Sequence, residues 1–168
     1  WQIGLGDLYY AKVDLNNAET HFTKARDLAP DSTTARLKLA ELRLMRGDFV
    51  DAMAEVNDAL RLDDQDPKAY FLKGWIHRMA GDTALAISSY RTATERDPGY
   101  YDAYMALARI LADQHDTLAR HYFDAVVDMR PNSVEARYAR GLYQQEHGLD
   151  SVALADYAFI KSVDPNNP

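Results

Sequence analysis

At 168 residues the chain has room for one ordinary domain, and 19 Lys+Arg against 26 Asp+Glu give it a formal net charge of −7. Its basic residues are scattered rather than clustered, so no nucleic-acid partner is expected, because phosphate binding needs a basic stripe. Cysteine is absent, which excludes disulfides and thiolate metal sites, and no apolar run approaches the roughly 18 residues of a membrane span.

Trp1 to about Ser32 reads as two short amphipathic helices. The first carries Leu5, Gly6 and Tyr9, and the second runs near Asn17 to Ala29. Residues 33–66 repeat the plan. Ser32 or Asp31 caps the first helix there, which ends near Arg46-Gly47. Asp48 opens the second, with Phe49, Met53, Val56, Ala59 and Leu60 at helical spacing. The clearest copy is 67–100, where Asp66 is a strong N-cap, Pro67 takes the first helical position and Gly81-Asp82 makes the turn.

Residues 101–133 are one residue short, the loss lying between Leu111 and Ala119. Gln114-His115-Asp116 stands where Ala80-Gly81-Asp82 stood. Two intact helices are expected, joined by a turn that lacks the glycine geometry of Gly47, Gly81 and Gly148 and uses His115 or Gln114 in a less comfortable conformation, or is tighter. Residues 134–167 close the chain, with Asn132 as cap, Gly148 at the turn and Tyr157 in the core. The chain opens inside a first helix and stops at Asp164-Pro165-Asn166-Asn167-Pro168, a junction that would start another repeat, so a fragment of a longer protein is expected.

A fixed ruler underlies these copies. Alanine falls at Ala18, Ala52, Ala86, Ala119 and Ala153, in steps of 34, 34, 33 and 34. Four residues later come Phe22, Val56, Tyr90, Phe123 and Tyr157. A small residue of the first helix recurs as Gly6, Ala40, Gly74, Ala108 and Gly141, and the terminating column reads Pro30, Asp64, Pro98, Pro131 and Pro165. These columns match the signature W-x2-L-G-x2-Y…A-x3-F…P, although Gln2 and Arg36 stand where it has Trp. The chain therefore resembles the tetratricopeptide repeat family over almost its whole length. The resemblance implies an all-α, right-handed α-solenoid of five motifs, the first truncated. The boundaries are about 1–32, 33–66, 67–100, 101–133 and 134–167 in a single domain, 1–168. The pattern is similar to that of bacterial members, envelope proteins among them.

In that family the first helix of each repeat lines the inside of the superhelix. The inward positions implied here are Leu37, Lys38 and Glu41, then Lys68, Phe71, Leu72, Trp75, Arg78 and Met79. They continue with Asp102, Met105, Arg109 and Asp113, then Glu135, Tyr138, Leu142 and Gln145. The groove expected to bind a peptide is Leu37, Lys68, Phe71, Trp75, Arg78, Met105, Arg109, Tyr138 and Leu142. Aromatic anchors beside cations at its edges suit an acidic peptide. The competing reading puts Phe71 and Trp75 in the core, where aromatic stripes at helical spacing often belong. The carboxylate clamp of some family members, which holds a chaperone tail, is not matched. Its frame falls on Ile3, Asp7, Lys38, Lys68 and Leu72, or on Phe71, Trp75, Ala106, Glu135 and Ala139, neither with the required Lys, Asn and Arg set.

The five histidines lie in different helices or turns, with no metal-ligand pair and no catalytic motif, so neither enzyme activity nor a cofactor is expected. His121 and Asp124, one turn apart, read as a surface contact. Tyr104 belongs to the core, and Tyr100 and Tyr101 pack over a junction or meet a partner. Phe159 shares a column with Lys24, Asp58, Thr92 and Ala125, while Leu154 and Ala158 stand where Arg120 and Asp124 do. Partial exposure of Phe159, or its burial by another copy, is expected, since an end repeat needs a cover. The function expected is a protein-interaction scaffold holding a partner peptide or helix; the alternative is a self-assembly module whose terminal repeats form a homo-oligomer.

Overall fold

The computed structural model describes residues 1–163; Pro165 and the expected junction at 164–168 lie outside the described residues. Those residues form ten helices and no strand: α1 (Gln2–Ala11), α2 (Leu15–Leu28), α3 (Thr33–Arg46), α4 (Phe49–Leu62), α5 (Pro67–Met79), α6 (Thr83–Arg96), α7 (Tyr101–Asp113), α8 (Leu118–Met129), α9 (Val134–Glu146) and α10 (Asp150–Val163). Two compact units result, Trp1–Asp97 holding α1 to α6 and a second from Pro98 holding α7 to α10. Each consecutive pair is one repeat, with a helix A and a helix B.

Side-chain caps fix several helix starts by satisfying amide groups that have no intrahelical acceptor. Asp14 accepts from the Asn17 amide, Ser32 from Ala35, and Asp66 from Lys68 and Ala69, with Pro67 behind it. The cap of α9 is Ser133, which accepts from the Ala136 amide, and not the expected Asn132, which lies one residue too early to reach it.

Small and large columns explain why the two helices of a repeat lie so close. A Cβ added at Gly74 would stand 2.6 Å from the Tyr90 ring, and one at Gly141 would stand 2.8 Å from Tyr157. Gly6 abuts Phe22 in the same way. In the first unit Val56 joins Leu37, Ala40, Leu44, Ala69, Leu72 and Ile76 in one buried cluster that spans two repeats. In the second, Phe123 packs on Tyr143 with ring centres 5.2 Å apart.

The A-to-B turns share one construction. In each, the residue after the left-handed position donates its amide to a carbonyl five residues back, at 2.8–2.9 Å: Asp14 to Tyr9, Asp48 to Arg43, Asp82 to His77, Asp116 to Leu111 and Leu149 to Gln144. The left-handed residue is Gly47, Gly81 or Gly148 in three turns, but His115 (φ 57°) and Val13 (φ 60°) in the others. The expectation that the fourth turn departs from the glycine geometry is thus corrected. Its hydrogen bonds hold His115 where glycine would sit. The missing residue falls after His115, and α8 accordingly starts late, at Leu118, with Asp116 bonding the Leu118 amide at 2.9 Å.

Two carboxylates are buried in helix B. Glu55 in α4 meets Arg26 (2.8 Å), Arg43 (3.1 Å) and Arg36 (3.3 Å). Asp156 in α10 meets Arg140 (2.7 Å) and Arg137 (2.9 Å). Arg36 and Arg137 occupy the column where the repeat signature has Trp, and both also donate to a terminating proline carbonyl, Pro30 and Pro131 respectively. The same two columns meet in repeat 1 as Gln2 and His21, 2.7 Å apart, and in repeat 4 as the Tyr104 and Tyr122 rings.

Candidate functional site

In the first unit the expected groove residues lie on α3 and α5. Leu37 is buried in the core and offers a partner little surface. Phe71 and Trp75 are half-buried, tilted against each other with ring centres 6.4 Å apart, and packed on that same core. Phe71 also meets Tyr90 at 5.6 Å. Core and surface readings of this pair each hold in part: one edge seals the repeat and the other stays open. Lys68 is bonded to Glu41 at 2.9 Å, and Lys38 to Asp7 at 2.7 Å. Arg78 is exposed and makes no ion pair among the described residues.

The second unit contains a cleft of about 270 Å³ between α7 and α9. Tyr138, Leu142, Ala112 and Ala139 give it apolar walls, with Phe123 and Tyr143 behind. Tyr138 and Leu142, one turn apart on α9, are 50% and 39% exposed. Met105 is only 5% exposed and supports the wall from inside rather than lining it. Arg109 bridges the two helices by donating to Glu135 at 2.8 Å. Asp113 and Glu146 complete the rim, so three carboxylates face one guanidinium. At this rim Arg109 is paired with Glu135, and the acids outnumber it.

Neighbouring features prove structural. Tyr101 is buried, with the Arg130 guanidinium 3.7 Å above its ring. Asp124 takes a hydrogen bond from Arg140 (3.0 Å) and pairs with Arg120, where His121 was expected as its contact. Phe159 is partly exposed under Arg137, which lies 4.0 Å from the ring centre. Among the described residues no group of His, Asp and Glu is arranged to hold a metal ion, and no helix is long and apolar enough to cross a membrane.

Two family models described as tetratricopeptide repeat match the chain, one over residues 4–76 and the other over 54–99 and 71–118. The chain belongs to the tetratricopeptide repeat family. Proteins of this family are generally protein–protein interaction scaffolds. Among relatives, the DnaJ homolog subfamily C member 7 of Mus musculus is 33% identical over 92 residues, 55% of this chain. The match spans only 19% of that protein's length. Among solved structures, PilF of Pseudomonas aeruginosa superposes with a TM-score of 0.87 at 18% identity, covering 99% of this chain and 76% of that one. YrrB, described as a tetratricopeptide repeat protein with an unusual peptide-binding site, gives 0.68 at 19% identity, with 99% and 86% covered. These likenesses show the fold, an all-α helical-repeat superhelix.

Ala112 and Glu146 were not among the inward positions read from the sequence. The signal was present. Glu146 shares a column with Asp113, Met79 and Met45, and Met79 and Asp113 had been placed inward.

Proposed function

We propose that the chain is an interaction scaffold that holds a peptide or helix of a partner protein against its A helices. The α7–α9 cleft carries this reading, because Tyr138 and Leu142 keep apolar surface open beside charged groups able to orient a bound backbone. In the first unit, the open edges of Phe71 and Trp75 with Lys68 and Arg78 form a further contact face, backed by Leu37. Met105 backs the cleft in the same manner.

A photo-cross-linking residue placed at 142 or 75, compared with one at 85 on the exposed side of α6, tests the proposal. Partner adducts should form from 142 and 75. Equal capture from 85 would overturn it. Trp75→Ala alone is less telling, since the ring also packs on the core and its loss should lower the melting temperature. Were Trp75 a central anchor, its truncation would cost about 2 kcal/mol of binding, roughly thirtyfold.

One observation favours self-assembly as a second reading. On α10 Leu154, Ala158 and Lys161 are exposed, although the corresponding Met53, Asn57 and Leu60 of α4 are partly covered. This stripe lies at i, i+4, i+7 and is the face that a further helix would occupy. Light scattering should then show mass rising with concentration, and Leu154→Glu should abolish the rise. A constant monomer mass excludes this reading.

A further inference from the structure

We infer that the α7–α9 cleft selects a basic partner segment: an apolar side chain seated between Tyr138 and Leu142, flanked by Lys or Arg. The inference rests on the scaffold reading above and adds the chemistry of the ligand.

Three observations carry it. The cleft has an apolar interior that fits a side chain of leucine size, walled by Ala112, Ala139, Tyr138 and Leu142. Its rim carries Asp113, Glu135 and Glu146 against Arg109 alone, and Arg109 is occupied by Glu135. That leaves Asp113 and Glu146 exposed and without an ion pair among the described residues.

The third observation is where these two acids sit. Asp113 is the last residue of α7, and Glu146 is the last of α9. A helix C-terminus carries partial negative charge, so a carboxylate there is repelled and a cation is favoured. Neither helix has a basic residue in its last turn. In the first unit α3 and α5 carry such compensation, in Arg43 and Arg46 and in His77 and Arg78, whereas α1 has none in its last turn. Two carboxylates and two helix ends thus concentrate negative charge at one end of an apolar cleft, with His147 Nδ1, 2.8 Å from the Tyr143 carbonyl, answering only part of it at α9. A guanidinium or ammonium from a partner is the group that balances it. Because both acids are solvated, each contact is individually modest, and the selectivity comes from joining it to the buried apolar anchor.

The test uses the full chain and a fluorescein-labelled Gly/Ser peptide with a central leucine flanked by arginines. Its counterparts carry glutamates as flanks, or alanine at the centre. Anisotropy at low ionic strength should show the arginine peptide binding roughly tenfold more tightly than the glutamate one. The D113N/E146Q double variant should weaken the arginine peptide about threefold to tenfold and leave the glutamate peptide no weaker. Leu142→Ala should weaken every leucine peptide, with an unchanged circular dichroism spectrum. Equal affinity for the two flanks, or an unaffected double variant, overturns the inference. If the glutamate peptide binds well through Leu142, the charge preference falls while the scaffold reading stands. If no peptide binds and position 142 cross-links no partner, both fall.

Discussion

Tyr90 shows how one side chain sets both the packing and the pH range of a repeat. Its ring fills the space that a Cβ on Gly74 would need and leans on Phe71. Gly74→Ala should therefore destabilise the protein although alanine is the better helix former. Overpacking costs roughly 1–3 kcal/mol, which outweighs the ~1 kcal/mol gained in helix propensity. Calorimetry should show a lower melting temperature, and an unchanged one would mean that the ring has room to move. Burial also pushes the Tyr90 phenol up to about 12, the Arg78 guanidinium only partly opposing it. The unfolded chain releases that proton near its ordinary value of 10.0. Stability from this residue is thus complete below pH 10 and is lost as pH climbs toward about 12, in all roughly 2–3 kcal/mol. Tyr90→Phe, which copies Phe22 and Phe123 of the same column, should flatten the alkaline limb of a melting-temperature profile. An identical limb in the variant would assign it to other groups.

At the scale of elements, the helix pairs and their small and aromatic columns were legible because they recur at a fixed step and each column tolerates only a narrow range of volumes. The turns were legible only in part. Sequence marks a left-handed position when glycine fills it; hydrogen bonding forces the same conformation on Val13, which carries no such mark, and on His115, which the absence of glycine left as one of two candidates. A β-branched residue at φ 60° is the more strained of the two. Val13→Gly should raise stability by about 1 kcal/mol and His115→Gly by somewhat less, measured by urea denaturation of each variant. A loss at Val13 would show that its side chain makes contacts worth more than the strain. The buried ion pairs could also have been read. Arg36 and Arg137, in the Trp column, each have an acid, Glu55 or Asp156, three residues after the column alanine of helix B. Reading each column alone, rather than the two together, hid that exchange.

At the scale of the whole molecule, composition said little about partners. The net charge of −7 says nothing of where the acids stand. Lys38, Lys68 and Arg109 looked like free cations along the helix A faces, yet each is taken up by an acid of the adjoining A helix. Arg109, Tyr138 and Leu142, expected from sequence along a groove, line the α7–α9 cleft of the second unit. It could not give the sign of the cleft, because that depends on which charges cancel in space. Exposure was equally out of reach: Leu37 and Met105 lie in the same column as Phe71 and Tyr138, and differ from them only in how deeply their neighbours cover them.

The arginine cluster around Glu55 has a consequence for how the first unit comes apart. Arg26 reaches Glu55 from the preceding repeat, and Arg46 reaches back to Glu19 and Asn16, so ion pairs reinforce the apolar contact of Ala18 and Phe22 with Leu39 and Leu42 that joins repeats 1 and 2. Repeats 2 and 3 meet through Met53, Val56 and Leu60 against Leu72 and Ile76, with Lys68–Glu41 as their ion pair. Guanidinium chloride weakens both apolar contacts and, as a salt, also screens the more numerous ion pairs of the first junction, whereas urea acts without screening. The two denaturants should peel the stack in different orders. With guanidinium, amide exchange in α1 and α2 should accelerate well before that in α5. With urea the helices should open closer together, and sodium chloride added to urea should restore the guanidinium order.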